Sequence, residues 1–406
     1  MSTIWQTVPL WSLVTVGREV VEPSDLGKQV VHYSIPVVDA LGTGQMEASE
    51  SIKSAKLLLR GGEVLISKLN PRKSRVLIVA KSDLPIVSST EFVGLQTLPR
   101  LDARFLSSLL QSETVRQELD SQVQSVTRSH QRVSPEDITH LSVQIPPLDE
   151  QRRIADFLDG ETARIEMLVQ LRSRQIDLLA ERCAAALNRQ FQHHSYRPTR
   201  LKYLMAVKPR YGVLVPVFAD EGVRFIRVND LLDLPGRADT LARIPTELSS
   251  QYSRTVTQPG DILLSVVGTM GRATVVPPEL SGANVARAVA SLRTICGIPP
   301  ELIATWMSTP DFHRQATEAT ASDTAQPTLG MEDLSNFQLS WPADMQNQTN
   351  LLNATTRIIN CQKALGRVLQ KQQKLLAERR QALITAAVTG QFDVSTASGR
   401  NVTDGV

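Results

Sequence analysis

Lys68-Leu69-Asn70-Pro71-Arg72-Lys73-Ser74-Arg75 puts four cations into one turn-rich segment. Lysine and arginine placed this way can neutralise phosphates, and an arginine can read guanine O6 and N7 through two parallel bonds. Farther along, Gly268-Thr269-Met270-Gly271-Arg272 is less basic but has glycine enough to approach a backbone closely. A second pair of segments, Arg128-Ser129-His130-Gln131-Arg132 and Ser322-Asp323-Thr324-Ala325-Gln326-Pro327, carries a glutamine in each copy. Glutamine can read adenine with two bonds. The candidate contacts are therefore Lys68, Arg72, Lys73, Arg75, Arg128, Gln131, Arg132, Thr269, Arg272 and Gln326. Each loop alone also reads as a solvated surface turn. Duplicate placement is what singles them out.

Other chemistries find no support. A phosphate-binding loop needs glycine-rich backbone followed by Lys-Ser/Thr, and Gly42-Thr43-Gly44 is only a turn signal. An amino-methyltransferase loop would read Asn/Asp-Pro-Pro-aromatic, and Asn70-Pro71-Arg72 departs at its third residue. The six histidines show no metal-ligand spacing. Glu63 and Lys68 lack the acidic partner of a nuclease site. A chain without a catalytic centre is expected.

The elements that position these loops come twice. Gly62-Glu63-Val64-Leu65-Ile66-Ser67 matches Gly260-Asp261-Ile262-Leu263-Leu264-Ser265, and Pro147-Leu148-Asp149-Glu150-Gln151 echoes Pro342-Ala343-Asp344-Met345-Gln346. Leu178-Leu179-Ala180-Glu181-Arg182 recurs as Leu375-Leu376-Ala377-Glu378-Arg379, and Gln190-Phe191 as Gln391-Phe392. The order is kept at an offset near 200 residues, the mark of tandem duplication. Val76–Ala80 and Ile262–Val267 read as strands, whereas Ser134-Pro135-Glu136-Asp137 and Gly330-Met331-Glu332-Asp333 read as helix starts.

Each copy ends in a long helix. From Asp149 to Phe191 no proline occurs, and apolar residues recur at gaps of three and four. A second such stretch runs from about Asp344 to Val388, with Gln362, Gln372 and Arg379 interrupting its seam. The expected seam includes Leu158, Ile165, Leu168 and Leu179, then Ile358, Leu365, Leu369 and Leu376. Either Asp149 or Asp344 could cap its helix. At 1.5 Å per residue each helix is roughly 60 Å long, so its seam needs another long helix to cover it.

The chain has 406 residues, 42% hydrophobic and 4% aromatic, enough for roughly two or three domains of ~150 residues and too apolar for wholesale disorder. No run approaches a membrane span, the N-terminus shows no signal peptide, and Cys183, Cys296 and Cys361 are too scattered for a disulfide framework. A soluble cytoplasmic protein is expected. Residues 1–147 hold 15 basic and 15 acidic side chains, and residues 196–340 hold 14 of each. Neither domain is basic overall, so any contact with DNA must come from local basic loops.

Ile145-Pro146-Pro147-Leu148-Asp149-Glu150-Gln151-Arg152-Arg153-Ile154-Ala155-Asp156-Phe157-Leu158-Asp159 resembles the entry into the first spacer helix of a known family. That family is the DNA-specificity (S) subunit of type I restriction–modification systems. Ala377-Glu378-Arg379-Arg380 through Val388-Thr389-Gly390-Gln391-Phe392 resembles its C-terminal end. The resemblance implies an α/β (mixed α+β) fold: two tandem target-recognition domains separated by two long antiparallel coiled-coil helices. It divides the chain into a first recognition domain (1–147), a spacer helix with linker (148–195), a second recognition domain (196–340), a second spacer helix (341–392) and a disordered tail (393–406). Each domain would read half of a split site in double-stranded DNA. Two methyltransferase (M) subunits would dock on the helices, and restriction (R) subunits would join them. S-adenosylmethionine, ATP and Mg²⁺ would belong to those partners, with no cofactor in this chain. The second spacer departs from the pattern, with Trp341 in place of proline and Met345 at the place of Glu150. A coiled-coil scaffold holding two protein-binding domains, and a subunit of a modification-only or phage-exclusion system, stay open as alternatives.

Overall fold

A computed structural model describes residues 5–123, 131–268, 270–321 and 327–394. The chain forms two compact units, Met1–Arg172 with Lys371–Val406, and Ser173–Gln370. The tail expected at 393–406 lies outside the described residues except for Asp393 and Val394, and Val394 packs on the first unit's core.

In the first unit a four-stranded antiparallel sheet runs in the order Val14–Val16, Phe92–Thr97, Val64–Ser67, Val76–Ile78. The strand Val64–Ser67 is buried along its whole length, which is why it reads as a continuous apolar run. Helix Ala103–Gln111 covers this sheet with Phe105, Leu106 and Leu110, all almost fully buried. A five-stranded sheet and the pair Gln6–Pro9 with Ser142–Ile145 complete the unit. The short helix Pro135–Thr139 begins where Ser134 accepts from Asp137 N–H at 3.0 Å while the Asp137 carboxylate accepts from Ser134 N–H at 2.7 Å. That reciprocal cap satisfies two donors that a helix start leaves open.

The second unit repeats the plan. Its four-stranded sheet runs Met205–Tyr211, Val289–Thr294, Ile262–Ser265, Ala273–Val275, and its edge pair is Arg197–Arg200 with Gln338–Trp341. The companion sheet differs, with three strands in place of five. The repeated Gly-Glu and Gly-Asp steps acquire a cause here. Glu63 accepts from Arg60 N–H at 2.6 Å and Asp261 accepts from Gln258 N–H at 2.8 Å, each closing the turn before its buried strand. Asp261 is also clamped by both arms of Arg293, at 2.6 and 2.8 Å.

Two helices of equal length, Leu148–Phe191 and Met345–Val388, contribute to both units. In the first unit Ile154 and Leu158 share a core with Ile384, Ala387 and Val388. Gln373 Nε2 donates to the Val169 carbonyl at 3.4 Å, and Arg380 pairs with Glu166 at 3.4 Å. Residue numbers fall along one helix as they rise along the other, so the two run antiparallel there. In the second unit Phe191 and Leu351 share a core.

Several positions along the helices differ from the sequence expectation. Leu158 and Ile165 are buried, and Leu179, Ile358, Leu369 and Leu376 are half-buried, but Leu168 is 38% and Leu365 48% exposed. Gly366 is more buried than Leu365 because the stripe slips by one residue there. Asp344 caps the second helix, accepting from Asn347 N–H at 2.8 Å, whereas Asp149 lies inside the first helix and is exposed. The second entry also carries two more residues than the repeat suggests. Gln151 and Gln348 both turn back from within the helix onto a carbonyl, those of Pro146 and Pro342, at 2.8 and 3.3 Å. Gln348, not Gln346, is thus the counterpart of Gln151, and Asn347, not Met345, that of Glu150.

Candidate nucleic-acid interface

In each copy the described residues of the two segments singled out, or those flanking them, pair with one another. In the first unit Lys68 N–H donates to the Glu91 carbonyl at 2.8 Å, Asn70 N–H to the Gln131 carbonyl at 2.7 Å, and Val133 N–H to the Lys68 carbonyl at 3.1 Å. Leu69 faces Arg132 in an isolated antiparallel bridge. In the second unit Val267 faces Thr328 in the same way, and Leu329 N–H donates to the Val266 carbonyl at 2.9 Å. The pairing survives the duplication although the residues have changed.

Strand register decides which other loops join them. Ser67 pairs with Phe92 and Ser265 with Val289, so the loop leaving one strand and the loop entering its neighbour emerge at one end of each sheet. On the far side Val16 pairs with Leu95, which delivers Gly17 and Arg18 to that end. Tyr211 pairs with Ala290, which delivers the segment after Tyr211 to the equivalent end of the second sheet.

Within the first loop the cations separate into two kinds. Asn70 and Ser74 adopt positive φ of 52° and 47°, and between them a 3₁₀ turn, Pro71–Lys73, presents Arg72 and Lys73 at the surface. Arg75 turns the other way. Its guanidinium grips Asp39 at 2.5 and 2.8 Å and bonds the Leu69 carbonyl at 3.1 Å, leaving the side chain only 7% exposed. Arg75 is a loop anchor, which corrects its place among the candidate contacts. Bonded to Arg75, the Asp39 carboxyl lies below its ordinary range.

Lys68 lines a cleft of about 790 Å³ together with Arg18, Trp11, Thr90 and His140. Arg132 is exposed and bonds Glu91 at 2.8 Å. Gln131 is half-buried, and its Oε1 meets no donor among the described residues. Arg128, Thr269 and Gln326 lie outside the described residues. Arg18 was missed because a single arginine after a short strand carries no motif; only the register of three strands brings it here.

In the second unit the turn is tighter. Gly268 and Gly271 take positive φ, Gly271 N–H donates to the Ser265 carbonyl at 3.3 Å, and Arg272 N–H to Ser265 Oγ at 3.1 Å. A Cβ on Gly271 would lie 2.2 Å from the His313 ring, so no side chain fits unless that ring moves. Burial holds the His313 pKa below its ordinary value, favouring the neutral ring. Arg272 is half-buried beside this turn, and exposed Arg287 enters the same sheet end from the other side.

Two α/β units of one plan, each built on stretches of the same two long helices, define the class: tandem domains whose scaffolds repeat and whose loops differ. Residues 5–173 match the family described as Type I restriction modification DNA specificity domain. It is 26% identical over 305 residues to the Type I restriction enzyme EcoBI specificity subunit of Escherichia coli, covering 66% of this chain and 63% of that one. The match therefore spans less than two thirds of that relative's length. A solved chain from a study of complex assembly and conformational transition in the type I R-M system is similar in fold, with a TM-score of 0.71 at 20% identity, over 96% of this chain and 98% of the other. The HsdS subunit from Thermoanaerobacter tengcongensis aligns over 96% of this chain and 97% of its own at 20% identity, with a TM-score of 0.49. Among the described residues no helix is long and apolar enough to cross a membrane.

Proposed function

We propose that this chain is the sequence-reading, non-catalytic subunit of a type I restriction–modification assembly, and that each unit reads one half of a split site in double-stranded DNA. One observation carries the reading: the residues flanking the same two segments pair at the same sheet end in both units, on a repeated scaffold, with different residues there. A scaffold kept with its loops changed is what separate readers of two unlike half-sites require. Arg72 and Lys73 at the surface, with Lys68 and Arg18 in the cleft, supply phosphate contacts in the first unit.

Two methyltransferase subunits dock on the long helices in this reading, and restriction subunits join them. The helices carry support for paired docking. Leu168, Leu171 and Leu178 are exposed on the first, and their counterparts 197 residues on, Leu365, Val368 and Leu375, are exposed on the second. Apolar residues left open at matched positions suit two copies of one partner. S-adenosylmethionine, ATP and Mg²⁺ belong to those partners.

The test replaces residues 196–340 with the corresponding domain of another family member and maps methylated adenines in host DNA by long-read sequencing. One half of the motif should change and the other stay. A change in both halves, or in neither, overturns the reading.

A further inference from the structure

The segment after Tyr211 differs from its equivalent in the first unit, residues 17–28 before strand Gln29–Tyr33, which hold the strand Val20–Val21 and the 3₁₀ turn Pro23–Leu26. In the second unit eleven residues, 212–222, stand between the corresponding strands, and their middle is apolar: Leu214-Val215-Pro216-Val217-Phe218. Leu214 is 51%, Val215 69%, Val217 59% and Phe218 55% exposed. Four large apolar side chains held together in water are a cost that a domain surface does not keep without use.

The segment is anchored at both ends. Val213 is fully buried, donating to the Val285 carbonyl at 2.8 Å and accepting from Arg287 N–H at 2.9 Å. Ala219 N–H donates to the Arg243 carbonyl at 3.0 Å. Gly212 and Gly222 lie so close to the backbone that a Cβ would meet a carbonyl oxygen at 2.0 and 2.3 Å. The Phe218 ring stands edge-on to buried Phe225, centroids 6.1 Å apart. Such a tip is presented in a set shape, and little entropy is lost when it is used.

Its position says what it meets. The tip leaves the same sheet end as the turn Gly268–Arg272, and its base is hydrogen-bonded to exposed Arg287. Asp220 and Glu221, which would repel phosphate, follow only at the far foot. An apolar tip beside a cation matches the DNA major groove, whose one apolar feature is the thymine C5-methyl group between rails of phosphate. We infer that Leu214–Phe218 reads thymine methyl groups in the half-site of the second unit, with Arg287 on an adjoining phosphate. This rests on the proposed function and adds to it that the two units read by different chemistry, the first mainly through cations and the second partly through apolar contact.

The test uses the assembled complex and its mapped site. Duplexes carrying deoxyuridine in place of thymidine in the second unit's half-site lack only the methyl groups. Affinity should fall about four-fold for each contacted methyl, the worth of one buried carbon, and the same exchange in the other half-site should change little. The double variant V215S/V217S, altered at exposed positions, should bind the thymidine duplex as weakly as the unaltered complex binds the deoxyuridine one, and show no further loss with deoxyuridine. Equal affinity of the unaltered complex for both duplexes would overturn the inference. So would a variant that keeps its thymine preference, including one that has lost partner assembly, which would make the tip a protein-docking element. Failure of the complex to bind any duplex would instead remove the broader reading.

Discussion

Arg75 and Asp39 stand 36 residues apart in sequence and meet through two parallel N–H···O bonds, one from Nε and one from Nη2. The pair ties the loop after Val64–Ser67 to the helix Ile35–Leu41, so the exposed cations beside it stand on a held backbone.

Arg75→Ala should destabilise the first unit by roughly 1–3 kcal/mol, toward the lower end because Asp39 is partly exposed and screened by solvent. Thermal unfolding measures it. The Asp39 pKa is depressed in the fold, so the pair's contribution is present above the unfolded value of 3.8 and is lost as pH falls through the lower folded value. Asp39→Asn should flatten that acid dependence.

Arg72→Ala with Lys73→Ala should leave the melting temperature almost unchanged, since both side chains are exposed. In the assembled complex the slope of log affinity against log salt should become shallower by about two, one counterion for each lost phosphate contact. An unchanged slope would take this turn out of the interface.

His313 gives the second unit a different pH response. A histidine whose folded pKa is lowered binds fewer protons folded than unfolded, so stability is lost as pH drops below about 6.5, the ordinary value, toward the folded pKa. The second unit should melt progressively lower between pH 7 and pH 5.5, and His313→Gln should remove most of that trend. Gly271→Ala should destabilise the same unit at every pH, because its Cβ displaces the ring and its φ of 85° strains any side chain.

The two helix entries should respond unequally. Gln151 accepts from Asp102 N–H and donates to the carbonyls of Arg100 and Pro146, whereas Gln348 Oε1 is buried without a partner among the described residues. Gln151→Leu should cost roughly 1–3 kcal/mol, the toll of stranding buried backbone groups. Gln348→Leu should cost clearly less in the same unfolding assay.

If the long helices set the gap between half-sites, adding four residues to each should lengthen it. Suitable places are after Arg172 and after Gln370, away from Leu187, which is buried. Four residues add about 6 Å and about 40° of rotation, close to the rise and twist of one or two base pairs. Methylation mapping of the variant reads the gap, and an active complex with the old spacing would count against a rigid ruler.

The duplication, the long helices, the Ser134 cap and the loops that differ between copies were all legible in the sequence, because periodicity, capping and repeat spacing are carried by residues close in the chain. What only the tertiary structure decided depends on residues far apart. The Asp39 carboxylate made Arg75 an anchor, and strand register brought Arg18 and Arg287 to the loop ends of their sheets. Burial of Gln348 placed the second entry two residues later than the repeat indicated. A one-residue slip of the helix stripe left Leu168 and Leu365 outside the seam. Register and side-chain pairing are settled by contacts across the fold, and residue types at a given spacing leave them open.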